Sequence, residues 1–527
     1  ITFRMRSAFH VLLLLPCIVS LNILMYVDVL GKSHLQFAEK LISQLNDRGH
    51  NVDVVLGMMN SIVSVKGDYG ARKLLPVHFP GGESPWNKVA SHLKDPFTEP
   101  SDWSRLKIEP HEFTDTALLL CDLLLNSSEV ADMLSTNAYD VALLNGYDFC
   151  PFALAHYHKI SPVVSYVPTA AYYHQHYYAG LPELPLYENT IFETRHEDRS
   201  YFATRVYETL RTFKERWIHY TSYTPFNEMF RARFGDDFPD VRDIAMNTSL
   251  DFSNSHPLLE EPKPISLRLR YIGGIALPTP KPLSTELDAL LNVSRKGTVI
   301  FSFGTQIQPE KITKDLQTVF INTFKRFPEY TFLWKLDGKT QFNASNVINM
   351  EWLPQTDLLY DPRVVAFISH MGLNSFTETS YAGVPVVAVP VFTDQVHNAK
   401  RARALGTAVI VRKTEITEEN LTGALEKVLF EDRYRERAKE VAAMVAATPD
   451  SPQRTFIEGI EFAAKFKNLP SHYRLAGAKH NFLVQIGWDV AAFLTLSLLF
   501  ITYLTLKVVV FVARSVLLIV RGKRKLD

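Results

Sequence analysis

Apolar residues fall into two alternating runs separated by a proline-rich stretch. Asn22 to Val29 is apolar enough for a buried strand, and Gly31-Lys32-Ser33-His34 makes a turn behind it. Leu35 to Asn46 carries apolar residues at Leu35, Ala38, Leu41, Ile42 and Leu45, the spacing of one helical face. Arg48-Gly49 ends that helix, and Val52 to Leu56 reads as a second strand. The three form a βαβ unit, the opening of a parallel sheet. Asp140 to Leu144 and Pro162 to Val167 are further strands with a short helix between them. Prolines at 262, 264, 278, 280 and 282 mark a linker, after which the alternation restarts. Thr298 to Phe303, Thr331 to Lys335 and Val364 to Ser369 read as strands, Lys311 to Phe327 as a helix, and alternation continues through Ala446. The pattern predicts an α/β protein with two Rossmann-like, doubly wound domains facing a cleft, where such sheets bind ligands.

Both ends carry a different pattern. Arg4 and Arg6 precede an apolar run from Ala8 to Val19 that ends at Ser20, the form of a secretory signal peptide over 1–20; a buried strand or anchor helix is the alternative. Val490 to Leu506 is unbroken by charge, and the apolar character resumes from Val508 to Ala513 after Lys507. The first run gives about 25 Å of helix, enough for a bilayer if Lys507 snorkels and the next turn contributes. Asp489 precedes the run, and Arg514, Arg521, Lys523, Arg524 and Lys525 follow it. That asymmetry predicts a single-pass type I protein with a short basic cytosolic tail and a luminal body. Lys523 and Lys525 resemble a dilysine retrieval signal, which implies the endoplasmic reticulum. Asn-x-Ser/Thr triplets at Asn126, Asn247, Asn292, Asn343 and Asn420 are candidate glycosylation sites of such a body. The expected division is therefore 1–20 leader, 21–275 first domain, 276–470 second domain, 471–489 juxtamembrane segment, 490–513 transmembrane helix and 514–527 tail.

Composition narrows the function classes. Lys plus Arg and Asp plus Glu are 56 each in 527 residues, so there is no general attraction for nucleic acid. Three cysteines exclude a disulfide-dense scaffold; Cys121 and Cys150 are either a pair or two buried thiols.

The informative stretch runs from Glu351 to Asn398. The strand Val364 to Ser369 feeds His370-Met371-Gly372-Leu373-Asn374-Ser375 and a helix expected from Phe376 to Tyr381. A strand, a glycine turn and a helix start make an anion site, because free N–H groups and the helix dipole converge there. Gly372 permits close approach, Asn374 and Ser375 are natural N-caps, and His370 adds a donor. A diphosphate fits this place without a metal. Glu378, one turn beyond Asn374, suits two ribose hydroxyls; Trp352 offers a flat surface for a base, and Gln355 a polar edge. Asp394 and Gln395 suit vicinal sugar hydroxyls.

Trp352-Leu-Pro-Gln355, His370-x-Gly372-x-Asn374-Ser375-x-x-Glu378, Gly383-Val384-Pro385, Pro390 and Asp394-Gln395 resemble the donor signature of the UDP-glycosyltransferase family, the UDP-glucuronosyltransferases included. The likeness is to its membrane-anchored animal members, of a nematode-like kind. It implies a GT-B fold, an inverting reaction and no metal or other cofactor. By the same likeness Trp352 stacks on uracil, Gln355 and Glu378 hold the ribose, His370, Asn374 and Ser375 the diphosphate, and Asp394 and Gln395 the sugar. Ser302-Phe303-Gly304-Thr305 resembles the second phosphate-side loop.

An inverting transfer needs a base for the acceptor hydroxyl, and His34 at the start of the first helix suits it. The resemblance implies that role for His34. It also implies an acid after the fourth strand to orient the imidazole. The residue here is Asn145, with Asp148 three residues on as the candidate substitute. The stretch Thr169 to Phe238, dense in Tyr, His, Phe and Arg and weakly patterned, is read as helices and loops walling the acceptor side, or as a surface insertion. The leading expectation is transfer of glucuronic acid or glucose from UDP to a hydroxyl of a small lipophilic acceptor, at a membrane and with oligomer contacts to relatives open. The alternatives are a non-catalytic UDP-sugar or lipophile binder that modulates active relatives, favoured by Asn145, and a structural membrane glycoprotein.

Overall fold

The computed structural model describes residues 20–89, 96–98, 111–170, 179–181, 201–305, 307–392 and 394–523. The expected leader apart from Ser20 and the last four residues lie outside these, as does much of the stretch between Thr169 and Tyr201.

The first domain is a 7-stranded sheet: β1 (Asn22–Asp28), β2 (Asn51–Gly57), β3 (Lys73–Val77), β4 (Val141–Asn145), β5 (Val163–Val167), β6 (Asp251–Ser253) and β7 (Leu269–Tyr271), in the order β3-β2-β1-β4-β5-β6-β7. The second is a 6-stranded sheet of β8 (Gly297–Ser302), β9 (Tyr330–Lys335), β10 (Val347–Met350), β11 (Val364–Ser369), β12 (Val386–Ala388) and β13 (Ala408–Ile410), in the order β10-β9-β8-β11-β12-β13. Every pairing is parallel. In both sheets the order reverses at the first strand, between β1 and β4 and between β8 and β11. Ligands of doubly wound sheets bind outside the carboxyl ends at such switch points. Of the candidate catalytic and donor residues, His34, Asn145 and Asp148, Ser302 to Thr305, and His370 to Glu378 end or follow these four strands, while Trp352 and Gln355 follow β10 and Asp394 and Gln395 follow β12.

Each strand is covered on both faces. Along β1, Leu24 and Tyr26 enter one apolar cluster, while Ile23, Met25 and Val27 enter the other. This period-two division is why the strands read as unbroken apolar runs. Helix α1 (Lys32–Asp47) buries Leu35, Phe37, Ala38, Leu41, Ile42 and Leu45 on the second of those faces. On the opposite face lie α2 (His111–Asn126) and α3 (Cys150–Tyr157), joined by a Cys121–Cys150 disulfide with a Cα–Cα distance of 5.7 Å. The pairing closes the choice that composition left open. Helix α4 (Phe202–Phe234) occupies most of the described part of the weakly patterned stretch and contains Pro225.

The second sheet carries α5 (Leu373–Ala382) and α6 (Asp394–Ala404) after β11 and β12. Helix α7 (Pro452–Lys465) comes last in that half of the sequence but packs on the first sheet. Its Phe456, Ile460 and Ala463 are buried there, each large side chain contributing about 1.5–3 kcal/mol. Gly459 lies against Phe252, where a Cβ would sit 2.7 Å from the ring, and Arg48 donates to Glu461 at 2.8 Å. Together with the Tyr381 hydroxyl on the Gly273 carbonyl (2.9 Å) and Arg401 on the Leu259 carbonyl (3.2 Å), these contacts hold the halves face to face.

Helix α8 (Trp488–Lys523) is the one described helix long and apolar enough to cross a membrane. Trp488–Ile519 has a mean hydropathy of 2.2 and none of it is buried. It runs on through Lys507 and Arg514, beyond the expected end at Ala513.

Candidate functional site

His34 stands at the third position of α1, just past the carboxyl end of β1. Its Nδ1 is 3.0 Å from the Asp28 carbonyl oxygen. A carbonyl only accepts, so Nδ1 carries the proton and Nε2 keeps its lone pair. The ring stacks on Tyr147 at 5.6 Å with 26° between planes. Desolvation lowers the imidazole pKa to about 4, against the opposing hydrogen bond to Asp28, so His34 is a neutral base at physiological pH.

Neither residue expected to orient His34 does so. Asn145 closes its own turn, its Oδ1 accepting from the Tyr147 N–H at 3.1 Å. Asp148 accepts from the Cys150 N–H at 2.7 Å in the turn before α3, and its carboxyl lies against that of Asp28, beside the Tyr26 hydroxyl. All three residues are buried. Desolvation raises Asp148 to about 7 and, with the neighbouring Asp148 charge, Asp28 well above the carboxylate range. The physical reason for the difference is the turn: Asn145 and Asp148 are used up by local N–H groups, and a backbone carbonyl fixes the imidazole instead.

Across the cleft, β11 ends at Ser369 and the chain turns through Met371 at φ +63° into α5. The helix starts at Leu373 with Gly372 as its N-cap, not at Phe376. Asn374 and Ser375 are therefore first-turn residues rather than caps, and the N–H groups of Leu373, Asn374 and Ser375 are those at the free end of the helix. The buried His370 lies between two glycines. A Cβ on Gly304 would come within 2.6 Å of its ring and one on Gly372 within 2.8 Å. Gly304, at φ +75°, also needs the freedom of glycine, and its N–H donates to Ser302 Oγ at 3.1 Å. Thr305 follows it and is exposed. Burial, helped by the Lys335 charge, lowers His370 to about 4.

Gln355 opens the short helix Gln355–Leu359 and donates to Ser375 Oγ (3.2 Å) and to Glu378, which also accepts from Thr356 Oγ1 at 3.1 Å. Burial raises the Glu378 pKa, opposed by these donors. Trp352 is exposed, with Lys335 Nζ 4.5 Å from its ring centroid. Asp394 opens α6 and accepts from Asn398 at 3.0 Å; its charge also reaches Tyr147, the residue stacked on His34. Gln395 is buried, its Oε1 taken by the N–H groups of Val391 and Phe392, which leaves its NH2 as the part open to other partners. Asn126, Asn247, Asn292, Asn343 and Asn420 are all exposed.

Lys335, at the end of β9, was not singled out from the sequence. Its ammonium donates to the Gly304 carbonyl at 3.2 Å, and burial together with the Lys32 charge lowers its pKa. Lys32, Lys335 and the free end of α5 thus bring positive potential to one place between the sheets. Tyr147 and Asp28 also gave no sequence signal. A single Lys, Tyr or Asp has no spacing to betray it, and only the strand order brings these residues to the cleft.

The whole-chain comparison agrees with this geometry. The family model for "UDP-glucoronosyl and UDP-glucosyl transferase" matches residues 25–524. The chain belongs to the UDP-glycosyltransferase family. It is 28% identical to UDP-glucuronosyltransferase 1A8 of Rattus norvegicus over 89% of this chain and 88% of that protein. It is 26% identical to UDP-glucosyltransferase 2 of Dactylopius coccus, covering 90% and 89%. A putative UDP-glucuronosyltransferase, ugt-50 of Caenorhabditis elegans, is 24% identical, covering 85% and 86%. The glycosyltransferase of kitacinnamycin superposes with a TM-score of 0.57 at 17% identity, covering 85% of this chain and 99% of that one. The calicheamicin glycosyltransferase CalG4 gives 0.54 at 16%, covering 84% and 97%. The fold is GT-B, and the chain is a UDP-glycosyltransferase that takes a UDP-sugar as donor.

Proposed function

We propose that this UDP-glycosyltransferase transfers glucuronic acid or glucose, with inversion and without a metal, to a hydroxyl of a small lipophilic acceptor. The carrying observation is the neutral His34, its Nδ1 held by Asp28 and its Nε2 free, facing the half of the cleft that contains His370, Lys335 and Asp394. The acceptor hydroxyl gives its proton to Nε2 as its oxygen attacks the anomeric carbon. The bond from that carbon to the β-phosphate oxygen breaks, and its electron pair leaves with UDP. One displacement inverts the anomeric centre. The growing charge on UDP meets the N–H groups of Leu373, Asn374 and Ser375, with Lys335 and His370 beside them. Cationic side chains and a helix end at this place supply the charge compensation for which a metal would otherwise serve. Gln355 and Glu378 hold the ribose, Trp352 the uracil, Ser302, Gly304 and Thr305 the second phosphate side, and Asp394 with Gln395 the sugar.

Asn145 favoured a non-catalytic binder. That reading weakens once the Asp28 carbonyl orients His34. The apolar α8 and the basic residues that follow its core support a single-pass anchor in the endoplasmic reticulum, with the two sheets in the lumen. The Cys121–Cys150 bond suits that oxidising compartment. The test is product stereochemistry by NMR with the α-linked donor and EDTA present. A β-glycoside formed at an undiminished rate supports the reading; an α-glycoside, or activity abolished by EDTA and restored by a divalent cation, refutes it.

A further inference from the structure

A large cavity lies away from the cleft. It measures about 1180 Å³ and lies under the first sheet, at the amino ends of β5 and β6, where Pro162, Val163 and Ser249 line it. His34 is at the opposite, carboxyl ends of the strands. A site of roughly 300–1,000 Å³ suffices for a drug-sized ligand; this one has room for a longer molecule.

Its walls come from two sources. One is the first domain, with Phe152 and Ile160 around the end of α3, Met246, and Phe213 and Trp217 of α4. The other is the juxtamembrane chain, from Lys467 to Gln485. That chain is seated firmly. Gly180 meets Ala478 so closely that a Cβ on the glycine would lie 2.4 Å from the alanine Cβ, and Gln485 Nε2 donates to the carbonyls of Gly477 (3.0 Å) and His480 (3.1 Å). Leu483 and Gln485 line the cavity, and α8 begins at Trp488. Three residues span at most about 11 Å, so the cavity wall runs directly into the start of the apolar helix.

The surface beside it has the same character. Phe202, Val206, Leu210, Phe213 and Trp217 of α4 are all exposed, at spacings of three and four that put them on one face. Soluble monomers rarely expose so continuous an apolar stripe. The charges are one-sided: Lys467 and Arg474 line the cavity with no ion pair among the described residues, whereas its one carboxylate, Asp243, lies 3.8 Å from Arg242.

We propose that this cavity binds a phospholipid drawn from the bilayer leaflet that α8 enters, with the phosphate at Lys467 and Arg474 and an acyl chain along Ile160, Met246, Phe213 and Trp217. The apolar α4 face rests on the same leaflet. The first domain is thereby fixed over the membrane by a lipid as well as by the helix. Arg and Lys recognise phosphate through charge-assisted hydrogen bonds, and tryptophan favours the bilayer interface. The inference rests on the reading that α8 spans a membrane.

One experiment separates the two. The full chain is placed in phosphatidylcholine nanodiscs containing a minor fraction of phosphatidic acid with brominated acyl chains, which quench nearby indoles. The fluorescence difference between the parent chain and Trp488→Phe reads the anchor; that between the parent and Trp217→Phe reads the α4 face and the cavity together, and only the part lost in Lys467→Ala/Arg474→Ala is the cavity's. Quenching of both components is expected, and Lys467→Ala/Arg474→Ala should raise the lipid fraction needed at Trp217 by about tenfold. Quenching of Trp488 without Trp217 overturns the cavity assignment and leaves the anchor standing. Quenching of neither sinks the anchor reading and this inference with it. Relief of Trp217 quenching by a neutral phenol, equally in parent and double variant, would make the cavity an acceptor store and also overturn the assignment. Should Trp217→Phe fail to fold, native mass spectrometry replaces it: one retained phospholipid in the parent and none in the double variant supports the proposal, and none in either refutes it.

Discussion

His34 Nδ1 lies 3.0 Å from the backbone oxygen of Asp28, a contact that decides which imidazole nitrogen is free. The orienting role thus sits on the main chain, out of reach of most side-chain substitutions. His34→Ala should lower kcat by about 10²–10⁴-fold with UDP affinity unchanged. Asn145→Ala should cost no more than about tenfold, because Asn145 holds the Tyr147 turn and not the imidazole. Asn145→Asp should lower the melting temperature without raising the rate, since it adds a carboxylate at the strand end that already buries Asp28 and Asp148. Initial rates and thermal unfolding of the three variants check this.

The pH profile follows from the burial of His34. Its pKa is lowered from 6.5 to about 4, so kcat/KM should show no histidine limb near neutrality and should fall only as pH approaches that lower value. His370 is lowered in the same way. For both, the unfolded chain takes up a proton below 6.5 that the folded protein refuses until about 4. Stability should therefore decline as pH falls through that window. Asp148 has the opposite sign. Its pKa is raised from 3.8 to about 7, so its contribution favours the folded state at low pH and is lost as pH rises toward 7. Asp148→Asn should flatten this second decline in a series of denaturation curves from pH 5 to 8.

The glycines around His370 test the phosphate side. Gly304→Ala places a Cβ 2.6 Å from the imidazole at a positive φ, and Gly372→Ala places one at 2.8 Å. Both should weaken UDP binding about tenfold or more in calorimetry, Gly304→Ala more strongly because backbone strain adds to the clash. Lys335→Ala, which removes the ammonium from the Gly304 carbonyl and the Trp352 face, should weaken UDP by a similar factor while leaving acceptor KM unchanged.

Much of the fold was legible because central parallel strands are apolar on both faces, and β1, β4, β8 and β11 read as such. The helix after β11 was visible, but its start was not. Asn374 and Ser375 look like caps in sequence, whereas a Met371 turn at positive φ lets Gly372 take that place. Helix α7 follows the second sheet in sequence yet completes the first. Nothing local reveals this, because its face of Phe456, Ile460 and Ala463 suits either sheet. The residues proposed for the donor side stand out by their spacing because most of them lie in one continuous stretch. Lys335, Tyr147 and the Asp28 carbonyl do not: Lys335 is a single residue at the end of a strand, Tyr147 a single residue in the turn after β4, and the third is main chain.

The Cys121–Cys150 bond closes a loop of 29 residues between α2 and α3, just after the Asp148 turn. A loop of that length corresponds to roughly 3–4 kcal/mol of stability. Cys121→Ser/Cys150→Ser should lose about that much in denaturant titration. Reduction of the parent protein with dithiothreitol should give the same loss, and the reduced double variant no further loss.

The most direct test incubates the full chain in detergent with radiolabelled UDP-glucuronic acid or UDP-glucose and a panel of phenols and sterols, beside His34→Ala. The account predicts glycoside and UDP in equal amounts from one of the donors, and a rate at least about a hundredfold lower from the variant, which still binds UDP. Product formed at the parental rate by His34→Ala, or UDP binding with no product from either donor across the panel, would contradict it.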